Sequence, residues 1–348
     1  MAYSSTVTLA AAADLIRDAS HVAVTAHAKP DADAFGAVLA LTTAVRVSGK
    51  TADAWLMPPV PANLAALRGG EVVRLYEAPM TLGEPDLVVV LDTGAWSQLA
   101  PMRADLERLL ERTLIIDHHL SGDVPAANRY VDAKAAACCQ IVGQLLDMLD
   151  TGTDPFDDAI VRDALFVGLA SDTGWFRFSN TGPQTHEMAA RLLRRGVDHA
   201  GLYGQLQQAD RPQKLALLIR ALKSLRLAAQ DRVAVMVLSA SDFKQSGALI
   251  EETEHIVDLP QMVASVQVVA LVTEPPPATG GTRDDSIRMS FRSKPGPAAV
   301  DVARVAEQFG GGGHARAAGG KVKAPLEEVA QRVAAALEQA VGTGGGVR

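Results

Sequence analysis

The sequence predicts an α/β protein in two parts. The N-terminal domain is expected to be a parallel sheet covered by helices on both faces, followed by a smaller C-terminal α/β domain. Three observations carry this expectation. Short apolar runs of strand length, HVAVTAH (21–27), LVVVLDT (87–93) and TLIIDHH (113–119), are separated by helical patterns. Strands without polar alternation are buried on both sides, which is the mark of a parallel sheet sandwiched by helices. At 348 residues the chain exceeds one comfortable core.

Taken in order, 21–27 reads as the first strand, and AFGAVLALTTAVRVSGK (34–50) as a helix closed by Gly49. The strands at 87–93 and 113–119 flank the helical PMRADLERLLERT. KAAACCQIVGQLLDMLD and FDDAIVRDALFVGLA then read as helices. After Gly196 the pattern loosens, and Arg211-Pro212 breaks it before the helical KLALLIRALKSLRL. Strands at 232–240, 266–274 and 286–294 and a final helix at 326–341 complete the second unit. The expected division is 1–196 for the first domain, 197–213 for a linker, 214–340 for the second domain and 341–348 for a disordered tail. No internal repeat is present.

Composition is globular, with 48% hydrophobic and 21% charged residues. No stretch approaches the roughly 18 apolar residues of a membrane span, and the N-terminus lacks the positive charge of a secretory leader. Cys138 and Cys139 are adjacent in a helical pattern, so no disulfide framework is implied; they read as small buried residues in a cytoplasmic protein. The net charge of −7 argues against coating long duplex nucleic acid, though not against a small anionic ligand.

The chemistry lies where the strands stop. They end in His27-Ala28-Lys29-Pro30-Asp31-Ala32-Asp33, in Asp92-Thr93-Gly94 and in Asp117-His118-His119, and a helix delivers Asp172. A lone Asp at a strand end is commonly a turn residue or helix N-cap. In a parallel sheet, however, these groups emerge along one edge, where such sheets bind ligands. Carboxylates gathered there raise one another's pKa. Two divalent cations resolve the repulsion, since Asp31, Asp33, Asp92 and Asp172 carry −4 against +4. The mixed His/Asp donor set suits Mn²⁺ or a similar ion. Two such metals, roughly 3.5–4 Å apart, share a hydroxide nucleophile in phosphoryl displacement.

FGGGGHARAAGG (309–320) reads as a second, anion-binding element. Consecutive glycines at Gly311, Gly312 and Gly313 let backbone N–H groups approach a phosphate, with His314, Arg316 and Arg292 adding side-chain donors. In SDTGWFRFSNTGPQTHEMAARLL, Trp175, Phe176 and Phe178 could stack on a base, but core packing is the favoured reading. Structural roles for Arg177 and His186 are at least as well supported as substrate contact.

The ordered set HAKPDADA, VVVLDTG, IIDHH, SDTGWF and GGGGHARAAGG resembles the DHH phosphoesterase superfamily, in the branch with a DHH-associated C-terminal domain and nanoRNase-type members. The likeness spans about residues 15–335. It implies one Mn²⁺ on His27, Asp31 and Asp92 and a second on Asp33, Asp92, His118 and Asp172, with Asp92 bridging. It further implies that Asp117 orients His118, and that His119 meets the scissile phosphate as donor or proton shuttle. Gly311, Gly312, Gly313, His314, Arg316 and Arg292 would hold substrate, with the active site in the cleft between the domains.

The activity implied is hydrolysis of very short oligonucleotides to mononucleotides, together with dephosphorylation of 3′-phosphoadenosine 5′-phosphate, by a cytoplasmic protein able to form a homodimer. Alternatives are a linear or cyclic dinucleotide phosphodiesterase, a RecJ-like single-strand exonuclease, a pyrophosphatase or exopolyphosphatase, and a catalytically dead nucleotide sensor.

Overall fold

The computed structural model describes residues 3–77, 80–149, 152–277 and 286–343. The chain divides into two compact units, Met1–Ala209 and Asp210–Arg348.

In the first unit, β1 (His21–Ala26), β2 (Thr51–Leu56), β3 (Val73–Leu75), β4 (Leu87–Leu91), β5 (Thr113–Asp117) and β6 (Asn128–Val131) form one sheet in the order β3-β2-β1-β4-β5-β6. Every pairing is parallel. Side chains alternate between two cores, as the pleat requires. Val22, Val24, Val89, Leu91, Leu114 and Ile116 face one core, and Ala23, Val88, Val90 and Ile115 face the other. Both faces are therefore buried, which is why these strands read as unbroken apolar runs.

The unit's helices are α1 (Leu9–Asp18), α2 (Ala32–Val47), the short α3 (Ala62–Ala65) and α4 (Arg103–Arg108), α5 (Cys138–Leu146), α6 (Ala159–Asp172), α7 (Pro183–Arg194) and α8 (His199–Gln207). Helix α2 is buried from Ala32 to Val45, which places it at the centre of the larger core. Strand order reverses between β1 and β4: the chain leaves β1 for β2 on one side and returns at β4 on the other. This is the switch point at which open α/β sheets bind ligands.

The segment expected as a linker is more ordered than its polarity indicates. It carries α8, and Val197 and Leu202 are buried in the first unit's core. Two well-spaced apolar anchors in a polar stretch produce no periodic signal.

The second unit has β7 (Arg226–Ala228), β8 (Val233–Leu238), β9 (Val268–Thr273), β10 (Ile287–Ser293), β11 (Gly312–His314) and β12 (Ala317–Val322), in the order β11-β12-β10-β9-β8-β7. Among the described residues only β8 and β9 pair in parallel; the other pairs are antiparallel. Helices α9 (Pro212–Lys223) and α10 (Ala240–Ser246) pack on one face. Helices α11 (Val302–Glu307) and α12 (Leu326–Thr343) pack on the other. Of the expected tail, Val341 is buried within α12, and 344–348 fall outside the described residues.

The glycine run is not an open phosphate-cradling loop, and this corrects the sequence reading. The N–H groups of Gly310 and Gly311 are donated to the Glu307 and Ala306 carbonyls, closing α11. Gly312–His314 is then an edge strand in a tight hairpin with β12. A Cβ at Gly311 would stand 2.1 Å from the Gly319 carbonyl oxygen, so close strand packing itself requires glycine there. Gly312, Gly313, His314 and Arg316 are exposed along that edge.

Candidate active site

Three neighbouring strands, β1, β4 and β5, deliver the polar groups. His27 follows β1, Asp92 follows β4, and Asp117 ends β5 with His118 and His119 directly after it. Asp31 caps α2: its Oδ1 accepts from the N–H groups of Asp33 and Ala34, each at 3.0 Å. That cap turns the chain so that Asp33, in the first helical turn, points inward. Asp172 is the last residue of α6, where the unpaired carbonyls of a helix end already repel negative charge.

These groups converge. His27, Asp31 and Asp92 offer one donor atom each within 4.8 Å of one another, and so do Asp33, His118 and Asp172. Asp92, His118 and His119 form a third such set. His27 Nε2 lies 3.4 Å from Asp92 Oδ2 and 3.8 Å from Asp31 Oδ1. His118 Nε2 lies 3.2 Å from Asp92 Oδ1, 3.4 Å from Asp172 Oδ2 and 3.9 Å from Asp33 Oδ2. Asp92 thus stands between the two groups. Its backbone is held at φ 62°, a left-handed conformation that Asp tolerates better than most residues.

The donor set fits divalent cations on several counts. Asp92 Oδ1 is buried yet makes no aligned hydrogen bond, although polar atoms so placed are normally satisfied. Both imidazoles aim Nε2 at carboxylates while Nδ1 faces a backbone carbonyl, Ala28 at 3.0 Å for His27 and Ala135 at 3.3 Å for His118. This is how ligating histidines are commonly held.

The electrostatics agree. Burial, then the charges of Asp92 and Asp172, push Asp33 well above the usual carboxylate range. Burial, opposed by His118 but reinforced by Asp92 and Asp31, lifts Asp172 to about 7. For the histidines burial works the other way and is outweighed. Asp31 and Asp92 raise His27 to about 11, and Asp92, Asp33 and Asp172 raise His118 to about 10. Negative charge is in excess here until a cation arrives.

Asp33 is completely buried and is held by the N-terminus of α5. The N–H groups of Cys138 and Cys139 donate to its two oxygens at 2.5 and 2.9 Å. The two cysteines themselves are buried free thiols. Gly168 in α6 makes room for this arrangement: a Cβ there would stand 2.3 Å from Cys139 Sγ and 2.7 Å from Asp33 Oδ1.

Asp117 departs from its expected role. It touches His118 only through the backbone N–H, at 2.8 Å. The same oxygen accepts from the His119 N–H at 3.1 Å and faces His119 Nδ1 at 2.7 Å, so the ring it orients is that of His119. Its other oxygen accepts a 2.7 Å hydrogen bond from the Tyr3 hydroxyl. The strand ends at Asp117, and the turn that follows sends the two imidazoles in different directions. Burial of Asp117 is outweighed by the bonds from His119 and Tyr3, which hold its carboxyl below the usual range.

Sequence reading missed Tyr3, which lies in a segment without periodicity, and the α5 N–H pair on Asp33, which no side-chain pattern encodes.

The aromatic segment divides. Trp175 and Phe176 pack against the core, where Phe176 stacks on His186 with ring centroids 5.7 Å apart. Phe178 is 55% exposed. Arg177 donates to the Gly174 carbonyl at 2.7 Å, which makes it part of the turn that follows Asp172. In the second unit, Arg292 is paired with Asp258 at 3.2 Å and donates to its neighbour's carbonyl.

Comparison with known proteins follows the same division. The DHH family, N-terminal domain, matches residues 21–169, and the DHHA1 domain matches residues 230–343. A bifunctional oligoribonuclease and PAP phosphatase of Thermus thermophilus is 28% identical over 318 residues, 91% of this chain and 89% of that protein. A protein of the same description from Bacillus subtilis is 26% identical over 314 residues, covering 90% and 92%. In fold, the chain resembles an exopolyphosphatase-related protein of Bacteroides fragilis, with a TM-score of 0.85, 21% identity and 97% of both chains covered. With a DHH domain followed in sequence by a DHHA1 domain, and a His/Asp centre converged within the first unit, the chain belongs to the DHH phosphoesterase family in its DHH–DHHA1 form and is a metal-dependent phosphoesterase.

Proposed function

We propose that the protein is a Mn²⁺-dependent phosphodiesterase that degrades oligonucleotides of a few residues to mononucleotides and also dephosphorylates 3′-phosphoadenosine 5′-phosphate. The observation that carries this reading is the convergence of His27, Asp31 and Asp92 with Asp33, His118 and Asp172 around one unsatisfied Asp92 oxygen. The descriptions of the Thermus and Bacillus relatives supply the substrate class.

His27, Asp31 and Asp92 would hold one cation, and Asp33, Asp92, His118 and Asp172 the other. Bound there, the cations would neutralise the carboxylates, lower the pKa of water and steady the phosphate oxygens. Asp117 holds His119 by Nδ1, leaving Nε2 to meet the scissile phosphate as donor or proton carrier. His314, Arg316 and the exposed edge around Gly312 and Gly313 supply donors for the substrate's anionic groups. For Arg292 that role requires exchange of its Asp258 partner. Gly311, whose N–H is committed to α11, contributes backbone shape to this edge. Buried free thiols accord with a reducing cytoplasm. Among the described residues no helix is long and apolar enough to cross a membrane.

The Mn²⁺-loaded protein is to be incubated with RNA and DNA of two to about twenty nucleotides, 3′-phosphoadenosine 5′-phosphate and pyrophosphate. Fastest turnover is expected on the shortest RNAs. Asp92→Ala is expected to lower kcat at least ~10³-fold, because it removes a ligand common to both cations. Preference for pyrophosphate or for the longest strands, or retained activity in Asp92→Ala, refutes the reading.

A further inference from the structure

Tyr3 lies 114 residues from Asp117 in sequence, yet its hydroxyl donates to Asp117 Oδ2 at 2.7 Å. The contact is built from several sides. The segment carrying Tyr3 is fastened to β6 two and three residues later. Ser5 Oγ donates to the Val131 carbonyl and accepts from the Val131 N–H, at 3.0 and 2.8 Å. Thr6 bonds to the Arg129 and Ala127 backbone in the same way.

The ring then passes between the two loops that follow β4 and β5, and a glycine stands in each. A Cβ on Gly94 would lie 2.0 Å from the Tyr3 hydroxyl, and one on Gly122 would lie 2.4 Å from ring carbon Cε2. The glycine of the Asp92-Thr93-Gly94 stretch is therefore the space into which Tyr3 fits. Burial and the adjacent Asp117 charge raise the Tyr3 pKa, so the hydroxyl remains a donor.

We propose that Tyr3 is a positioning residue for hydrolysis, fixing the Asp117 carboxylate so that Asp117 in turn holds the His119 imidazole with Nε2 toward the phosphate. Asp117 has one oxygen committed to Tyr3 and the other to the two backbone N–H groups and Nδ1 of the histidine pair. Without the Tyr3 bond, Oδ2 is left buried without a partner, and the carboxylate gains a reason to rotate and release His119. Supporting partners of this kind typically change activity ~10–100-fold. The inference rests on the role given to His119 in the proposed function.

The test is a double-mutant cycle on the full chain with Mn²⁺ and a diribonucleotide. Tyr3→Phe keeps the ring between the glycines and removes only the hydroxyl. It is expected to lower kcat about tenfold, with KM and the Mn²⁺ dissociation constant within about twofold of the unaltered protein. In a His119→Ala background, measured on its residual rate, the same substitution is expected to cost less than about twofold, because the group it positions is gone. Equal losses in both backgrounds, or a loss carried by Mn²⁺ affinity, would show that Tyr3 acts on general structure and overturn the inference alone. No turnover by the unaltered protein overturns the functional reading, and this inference falls with it.

Discussion

At the scale of single residues, the centre keeps carboxylates together, and helix N-termini and imidazoles relieve their repulsion only in part. Asp33 and Asp172 are both raised above the ordinary carboxylate range, chiefly by burial and then by neighbouring carboxylates. His27 and His118 rise to about 11 and about 10, as nearby carboxylates outweigh their burial. Each of these groups binds protons more tightly folded than unfolded, so each favours the native state less as pH rises. For Asp172 this change runs from its unfolded value near 4 to about 7; for the histidines it runs from about 6.5 to 10 or 11. The melting temperature of the metal-free protein is therefore expected to fall between pH 5 and about 9. Mn²⁺ held as the proposed function has it requires neutral imidazoles and ionised carboxylates, so its stabilisation should grow over the same range, with release of about two protons from the histidines at pH 7. Scanning calorimetry with and without metal, and titration in buffers of different ionisation enthalpy, check both. A metal increment that shrinks as pH rises contradicts the ligand set. The candidate positions stood out because His27, Asp92 and the Asp117-His118-His119 stretch each end an apolar run with a polar group. The partner of Asp117 was not legible, because a hydrogen bond across 114 residues leaves no mark on local pattern.

At the scale of elements, α2, α5 and α6 are assembled around a carboxylate with no spare volume. Gly168 is the tightest point, and replacing it by Ala would drive a Cβ against Cys139 Sγ and Asp33 Oδ1. Gly168→Ala is expected to destabilise the protein by about 1–3 kcal/mol through overpacking and to weaken Mn²⁺ binding by displacing Asp33. Gly143→Ala in α5 provides the contrast, since its nearest neighbour is the flexible end of Met188. Denaturant midpoints together with Mn²⁺ titrations distinguish the two, and equal metal affinity in both variants would mean that Gly168 does not shape the site. The glycine-rich run teaches the same lesson in reverse. Composition marked it as backbone that approaches something closely, but what Gly311 approaches is the Gly319 strand. Glycine content reports the need for proximity and is silent on the neighbour.

At the scale of the whole molecule, the chain carries −7 while cutting polyanions, as the proposed function has it. That balance argues against a broad basic track, so binding is expected to rest on a few phosphates. For a substrate held by two or three phosphates, log affinity should fall with log salt at a slope of roughly −1.5 to −2. The slope should not steepen as the oligonucleotide lengthens. Apparent affinities for di-, tetra- and decanucleotides across a salt series check this, and a slope growing with length supports tracking along a strand.

Apolar runs ending in Asp or His, separated by helical segments, were enough by themselves to indicate a parallel α/β domain with polar groups gathered at one sheet edge; the choice of six of those groups as ligands came from the resemblance to the DHH family. A parallel sheet carries every strand end of that kind to one edge. Tertiary structure alone decided the contacts that do not follow from period or order: α5 N–H groups on Asp33, Tyr3 on Asp117, and Asp117 on His119 in place of the His118 ring. The physical reason is range. Burial periodicity is written into neighbouring residues, whereas the direction of a hydrogen bond depends on which backbone and side-chain groups the completed fold brings within about 3 Å.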